Sequence, residues 1–303
     1  MDMDWMRLPI GEWAEVVVDW MTTYLDGLFS VLRSIFDGMN EGLVWVFMTP
    51  PFWVIILAIA VISFFAKGWK LAVGTIIGLL VIVSVDQWEN AMNSLSLVLV
   101  ATIIALVIAI PLGILASKSD IASRIIRPVL DFMQTMPAFV YLIPAIVIFR
   151  VGVVPGIVAT IIFAMAPAVR LTELGIRGVD KEVVEAGYAF GSKSGRILRQ
   201  IQLPLAMPSI MAGINQVIML ALSMVVIAGM AGAGGLGQDV YSAVQRIDIK
   251  LGAESGLAVV IIAMILDRIT GGFGNRKRKA TGPRKVAAAD STETTASVPA
   301  KTA

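Results

Sequence analysis

Neither cysteine nor histidine occurs among the 303 residues. Their absence excludes disulfides, thiol nucleophiles, zinc sites of the usual ligand types and imidazole acid–base chemistry. No metal site is expected, and a membrane enzyme would have to work without its commonest tools. Charge is also scarce: 15% of the residues are Asp, Glu, Lys or Arg, where a soluble domain carries about 25%. The N-terminus, MDMDWMRLPI, lacks a basic stretch ahead of an apolar core, so it does not read as a cleavable signal peptide.

What the chain has in abundance is apolar sequence, 57% of the residues. Its apolar runs approach the roughly 20 residues that a helix needs to cross a bilayer. The fold class expected is an all-α integral membrane protein. Seven candidate spans are legible, at 51–66, 69–85, 91–116, 129–149, 152–169, 206–230 and 254–269. The first two are short and close together, as in a tight hairpin or a partly re-entrant pair. Pro137, Pro144 and Pro167 interrupt apolar segments and allow spans to bend or break there.

Basic residues concentrate in every second loop: Lys67 and Lys70; Lys118, Arg124 and Arg127; six Lys and Arg between Arg170 and Arg199; and six more from Arg276 to Lys285. The positive-inside bias places these loops in the cytoplasm, with the N-terminus outside and the C-terminus inside. Residues 1–50 form an extracytoplasmic amphipathic region. Within it, 12–46 read as one interfacial helix, with Asp19, Thr22, Asp26, Ser30, Arg33 and Asp37 opposite Trp13, Val17, Trp20, Tyr24, Leu28, Val31 and Ile35. The transmembrane domain covers 51–270, and 271–303 form a basic tail whose composition predicts disorder. Trp45, Trp53, Trp69 and Trp88 sit near span ends as interfacial anchors.

Residues 170–204 are too polar to span and not biased enough to be disordered. Val183, Gly187 and Phe190, with Val184 beside them, fall on one face of a short helix that Gly191 can end in a left-handed conformation. Ser192 or Ser194 can cap a second helix, whose apolar side is Ile197, Leu198 and Ile201, and Pro204 marks entry into the next span. The result is a helix–turn–helix knob suited to docking into a groove.

The stretch EAGYAFGSKSGRILRQIQLP, from Glu185 to Pro204, resembles the EAA signature of importer-type ABC permeases. That resemblance assigns ATPase coupling to Glu185, Ala186, Gly187, Phe190, Gly191, Ile201, Leu203 and Pro204. Gly187 departs from the usual Ala; it should fit, though it weakens the helix by roughly 1 kcal/mol. Gly191-Ser192-Lys193-Ser194 is a decoy for a phosphate loop, because no Gly directly precedes the Lys and no apolar strand leads into it. The chain itself should bind no cofactor, with ATP and Mg used by a separate, partner ATPase.

PVLDFMQTMPAFVYLIP (128–144), IIFAMAPAVRLTELGIRGV (161–179), LPLAMPSIMAGINQVIMLALSMVVI (203–227), GAGGLGQDV (232–240) and LDRIT (266–270) extend the likeness. Together they resemble the permeases of glycine betaine/proline betaine importers, a group that also serves choline. The resemblance implies a homodimeric pore in the bacterial inner membrane, two ATPase subunits inside and a separate substrate-binding protein outside. Membrane lipid is the remaining partner, and no nucleic acid is expected. Permeases for other small polar solutes share the EAA signature. A secondary transporter, the rival class, would show buried acids in mid-span, and the sequence has almost none.

Pathway candidates are Asp131 and Gln134, one helical turn apart near a span end. Phe139 and Tyr141, with Phe132 and Phe149, could attract a quaternary ammonium, or simply pack. Asn215 and Gln216 either line the pathway or bond helices together. Arg150 reads as a snorkelling residue at the outer edge. Glycines 229, 232, 234, 235 and 237 read as a flexible outer turn, either a gate or a plain re-entrant loop.

Overall fold

The computed structural model describes residues 9–279, and its regular elements are helices throughout. Two helices lead, α1 (Ile10–Tyr24) and α2 (Asp26–Met48), followed by a hairpin of α3 (Phe52–Lys67) and α4 (Trp69–Ser84). Next come α5 (Trp88–Lys118), α6 (Asp120–Thr135), α7 (Ala138–Phe149) and α8 (Val153–Arg177). The chain continues through α9 (Lys181–Ala189), α10 (Ser194–Ile197), α11 (Leu203–Ser223), α12 (Val225–Met230), α13 (Gly235–Arg246) and α14 (Ile249–Lys279).

Four stretches are long and apolar enough to cross a bilayer: α5, α8, the run 194–230, and 249–272 of α14. The centre of the bundle is α8, packed between α5 and α11. Val100, Ala101, Ala105 and Ala109 of α5 meet Ile157, Ile161, Ala164, Ala168 and Val169 of α8, with Val217 of α11 in the same cluster. Small residues let these backbones approach closely. A Cβ on Gly113 would lie 2.6 Å from the Thr172 side chain, and one on Gly213 would lie 3.1 Å from the Ala168 backbone.

The hairpin helices have 16 residues each, or ~24 Å, short of the ~30 Å hydrocarbon core. They meet at Gly68, whose φ of +93° suits glycine. A buried hydroxyl pair, Ser63 and Thr75 at 2.9 Å, bonds them together. The hairpin packs chiefly on α14.

The segment expected as one span at 129–149 is broken: α6 and α7 meet at 97°. Pro137 has no N–H to give the Met133 carbonyl. Tyr141 supplies the missing donor, its hydroxyl lying 2.6 Å from Met133 O. Pro144 and Pro167, expected to bend or break spans, lie inside continuous α7 and α8.

The stretch expected as one interfacial helix is two helices, parted at Leu25. Its predicted apolar face is exposed, from Trp13 through Ile35. A second apolar stripe, offset on α2, packs on the bundle. There Phe29, Leu32 and Phe36 meet Phe149 and Val154, with the Phe29 and Phe149 rings edge to face at 5.4 Å. Arg33 Nη2 donates to Ile148 O at 3.1 Å. This region therefore rests on its own subunit.

The glycine-rich turn is tightly packed. A Cβ on Gly229 would lie 2.3 Å from the Gly237 carbonyl carbon, and one on Gly237 would lie 2.0 Å from Val225 O. Only glycine permits this contact between α12 and α13. Leu236 N–H donates to Ser94 Oγ at 2.8 Å, which pins α13 to α5. This is the end of the bundle opposite residues 178–202.

Candidate functional site

Residues 178–204 form a compact knob at one end of the bundle. Asp180 caps α9, its Oδ1 accepting from Glu182 N–H at 3.0 Å. Gly191 closes the helix with φ +74°. Gly191 N–H reaches Tyr188 O at 2.9 Å and Ser192 N–H reaches Gly187 O at 3.2 Å. These two bonds are the Schellman pattern, which needs a left-handed residue at that position.

Within the knob Gly187 is buried, and a Cβ on it would lie 2.9 Å from Ile201 Cδ1 and 3.3 Å from Ile197 Cγ1. Phe190 points the other way and is 89% exposed. The sequence placed Val183, Gly187 and Phe190 on one face. The structure separates them: Gly187 packs beneath Ile197 and Ile201, whereas Val183 and Phe190 are exposed, although Phe190 N–H still bonds to Ala186 O at 3.1 Å. Exposed around Phe190 are Val183, Glu185, Ala186, Tyr188 and Ala189.

Neither serine caps the second helix. Lys193 occupies that position, with no side-chain hydrogen bond. The chain then widens into a π turn at Leu198–Gln202 that runs directly into α11. Pro204 sits in the first turn of α11, directly after the π turn, and has no N–H to give the helical ladder at this junction. Ile201 and Leu203 are half-buried at this junction.

Beneath the knob lies an ion-pair ladder that joins α5, α6 and α8. Glu173 is 3% exposed. Its Oε1 accepts from Ser123 Oγ at 2.7 Å and from Arg127 Nη2 at 2.9 Å, and Arg177 Nε stands 3.1 Å away. Arg177 also reaches Asp120 Oδ1 at 2.8 Å and Ala116 O at 2.9 Å. Hydrogen bonding and charge from Arg177 hold the Asp120 carboxyl, outside the apolar spans, below the usual carboxylate range. Further along α6, Asp131 pairs with Arg170. Arg127, Asp131, Arg170 and Glu173, with Leu174, line a polar cleft of about 290 Å³. The ladder's anchor, Glu173, was not singled out from the sequence. The available signal was one acid inside an apolar helix, four residues before Arg177.

The six pathway candidates fall on three helices. Asp131 is engaged with Arg170, and Gln134 is exposed one turn on. Phe139 is 49% exposed, whereas Tyr141 stabilises the break between α6 and α7. Asn215 bonds helices together: its Nδ2 donates to Asp267 Oδ1 on α14 at 3.4 Å, and its Oδ1 accepts from Thr270 Oγ1. Gln216 is exposed on α11, in a stripe with Pro208, Ala212, Met219 and Ser223.

A chain of the MetNI methionine ABC transporter, in inward-facing conformations, superposes with a TM-score of 0.54 at 21% identity, covering 63% of this chain and 94% of that one. A second crystal form gives 0.55 at 22% identity, covering 65% and 96%. These likenesses establish the fold. The family described as binding-protein-dependent transport system inner membrane component matches residues 109–278. The glycine betaine/carnitine transport permease protein GbuB of Listeria monocytogenes is 50% identical over 90% of this chain and 97% of its own. OpuAB, the glycine betaine transport system permease protein of Bacillus subtilis, is 45% identical over 90% and 96%. ProW, the glycine betaine/proline betaine permease protein of Escherichia coli, is 44% identical over 91% and 80%. With its multi-pass helical bundle and its EAA-type knob, the chain belongs to the ABC importer permeases, the inner-membrane components of binding-protein-dependent transport systems, in the glycine betaine/proline betaine family.

Proposed function

We propose that this chain forms, as a homodimer, the pore of an ATP-driven importer of quaternary ammonium osmolytes such as glycine betaine, proline betaine or choline. Its knob docks into an ATPase subunit on the cytoplasmic side, the N-terminus lies outside, and a separate binding protein delivers substrate there. The observation that carries the reading is the knob itself. Phe190 is 89% exposed at the tip of a helix, and an exposed aromatic on a rigid, capped element is an anchor for a partner groove. Glu185 and Ala186 share the exposed surface, while Gly187 and Ile201 hold it from within.

ATP binding closes the ATPase pair and draws the two knobs together. Because α8 leads into α9 with only three residues between them, and Glu173 ties α8 to α6, the pull reaches the broken α6–α7 span. The spans then rock from inward-facing to outward-facing, and substrate enters from the binding protein. Hydrolysis resets the pore and releases substrate inside. The exposed stripe on α11 supports a second copy facing it across the pathway. Apart from Met219, that stripe is small or polar, with Ala212, Gln216 and Ser223, whereas the exposed face of α3 carries Phe52, Trp53, Leu57, Phe64 and Phe65 and suits lipid. The chain does no chemistry of its own in this reading; ATP and Mg serve the ATPase.

Because no natural cysteine exists, Ala189→Cys gives a single thiol on the knob. A membrane-impermeant maleimide should leave it unlabelled in spheroplasts. The same reagent should label it in inverted vesicles stripped of the ATPase, and rebound ATPase should protect it. Labelling from outside, or no protection by the ATPase, would overturn the assignment.

A further inference from the structure

Between α4 and α14 the short hairpin leaves a groove of about 510 Å³. One wall is Leu71, Gly74, Thr75 and Gly78; the other is Ile261, Met264 and Ile265. At Gly78 the walls touch, since a Cβ there would lie 2.8 Å from Ile261 Cγ2. At Gly74, one turn nearer the hairpin tip, a Cβ would meet nothing within 4 Å. The groove is therefore closed at depth and open towards the bundle end that carries the knob.

Three cations, Lys67, Lys70 and Arg268, line the mouth of the groove. They come from both arms of the hairpin and from α14. None makes an ion pair with a carboxylate among the described residues. Asp267, the neighbouring acid, is bonded to Asn215 on α11. A single Lys or Arg at a span end snorkels to the interface and needs no ligand. Three from separate helices around one apolar cleft have a shared complement, an anion with an apolar tail.

We propose that this groove binds one anionic phospholipid. Its phosphate sits among Lys67, Lys70 and Arg268, and an acyl chain runs along Leu71, Gly74 and Met264. Basic pockets between spanning helices select anionic headgroups in this manner. The lipid completes the packing of the hairpin on α14, which the protein leaves open at Gly74. A second copy of this chain is a poor occupant, because it would bring like charges face to face.

The test uses the permease assembled with its ATPase in phosphatidylcholine vesicles. These carry a few mole per cent of phosphatidylglycerol bearing a diazirine on its acyl chain, or the matching photoactivatable phosphatidylcholine. Cross-links are mapped by peptide mass spectrometry. Cross-linking of phosphatidylglycerol to peptides spanning 67–78 and 261–268 should exceed that of phosphatidylcholine by about ten-fold or more. Replacing Lys67, Lys70 and Arg268 together by Gln should abolish the preference. Gly74→Leu fills the open part of the groove and should remove the cross-links to 261–268 while leaving the three charges in place. Equal cross-linking of the two lipids in the wild-type complex would overturn the proposal. So would a preference that survives the triple substitution, or Gly74→Leu with unchanged cross-links.

Discussion

Gly191 separates two explanations for a sensitive knob, strain and docking. Its φ of +74° lies in the left-handed region, and a Cβ added there meets nothing within 4 Å. Inside this chain, a side chain at 191 therefore costs backbone strain and nothing else. For Ala the left-handed conformation costs about 1–2 kcal/mol, whereas Asn, whose side chain bonds locally, visits it at lower cost. Asn and Asp carry more atoms than Ala into the space that the docking account gives to the ATPase. If the knob docks, the order of damage to coupling is Asp, then Asn, then Ala. If only the helix end matters, Ala is the worst of the three. The assay is ATP-driven uptake and ATPase activity in proteoliposomes, with assembly checked by size exclusion and membrane insertion by expression. Gly191→Asp should abolish transport while the permease still inserts, and Gly191→Ala should retain most of it. Ala more damaging than Asn, or normal uptake by the Asp variant, would refute the reasoning.

Glu173→Gln should cost about 1–2 kcal/mol of stability in detergent. Hydrogen bonds to a charged group are worth roughly 1.5–3 kcal/mol, and Arg127 and Arg177 are respectively 59% and 35% exposed, which weakens the pair. A lower ratio of substrate moved to ATP hydrolysed should accompany the loss, and an unchanged ratio would remove Glu173 from the coupling route. Tyr141→Phe leaves Met133 O without its substitute donor; the expected loss is ~1 kcal/mol, read by thermal unfolding. Gly237→Ala forces a Cβ to 2.0 Å from a carbonyl oxygen and should destabilise by about 1–3 kcal/mol or more. Gly256→Ala, with nothing within 4 Å, should be neutral or stabilising by up to ~1 kcal/mol.

Much of the knob was legible because its signals are local. Gly191, two short apolar faces and a following Pro are read over about 20 residues, and turn chemistry acts at that range. The bundle was legible because long apolar runs leave a helix little choice in lipid. What the sequence concealed depends on contacts distant along the chain. The inward turn of Gly187 follows from Ile197 and Ile201 closing over it, and the burial of Glu173 follows from α6 folding back across α8. Pro137 announced a possible break, but Pro144 and Pro167 carried the same signal and broke nothing. Tyr141 marks the break that is realised, through a hydrogen bond spanning eight residues. The glycines at 229–237 read as freedom, yet the Gly229–Gly237 contact makes that turn one of the tightest places in the fold.

The most direct measurement is uptake of labelled glycine betaine by proteoliposomes holding this chain, its ATPase and its binding protein, with and without ATP on the knob side. Uptake that requires ATP and the binding protein together is the predicted result. No uptake, together with no stimulation of ATPase activity by the binding protein loaded with glycine betaine, choline or another solute, would contradict the account.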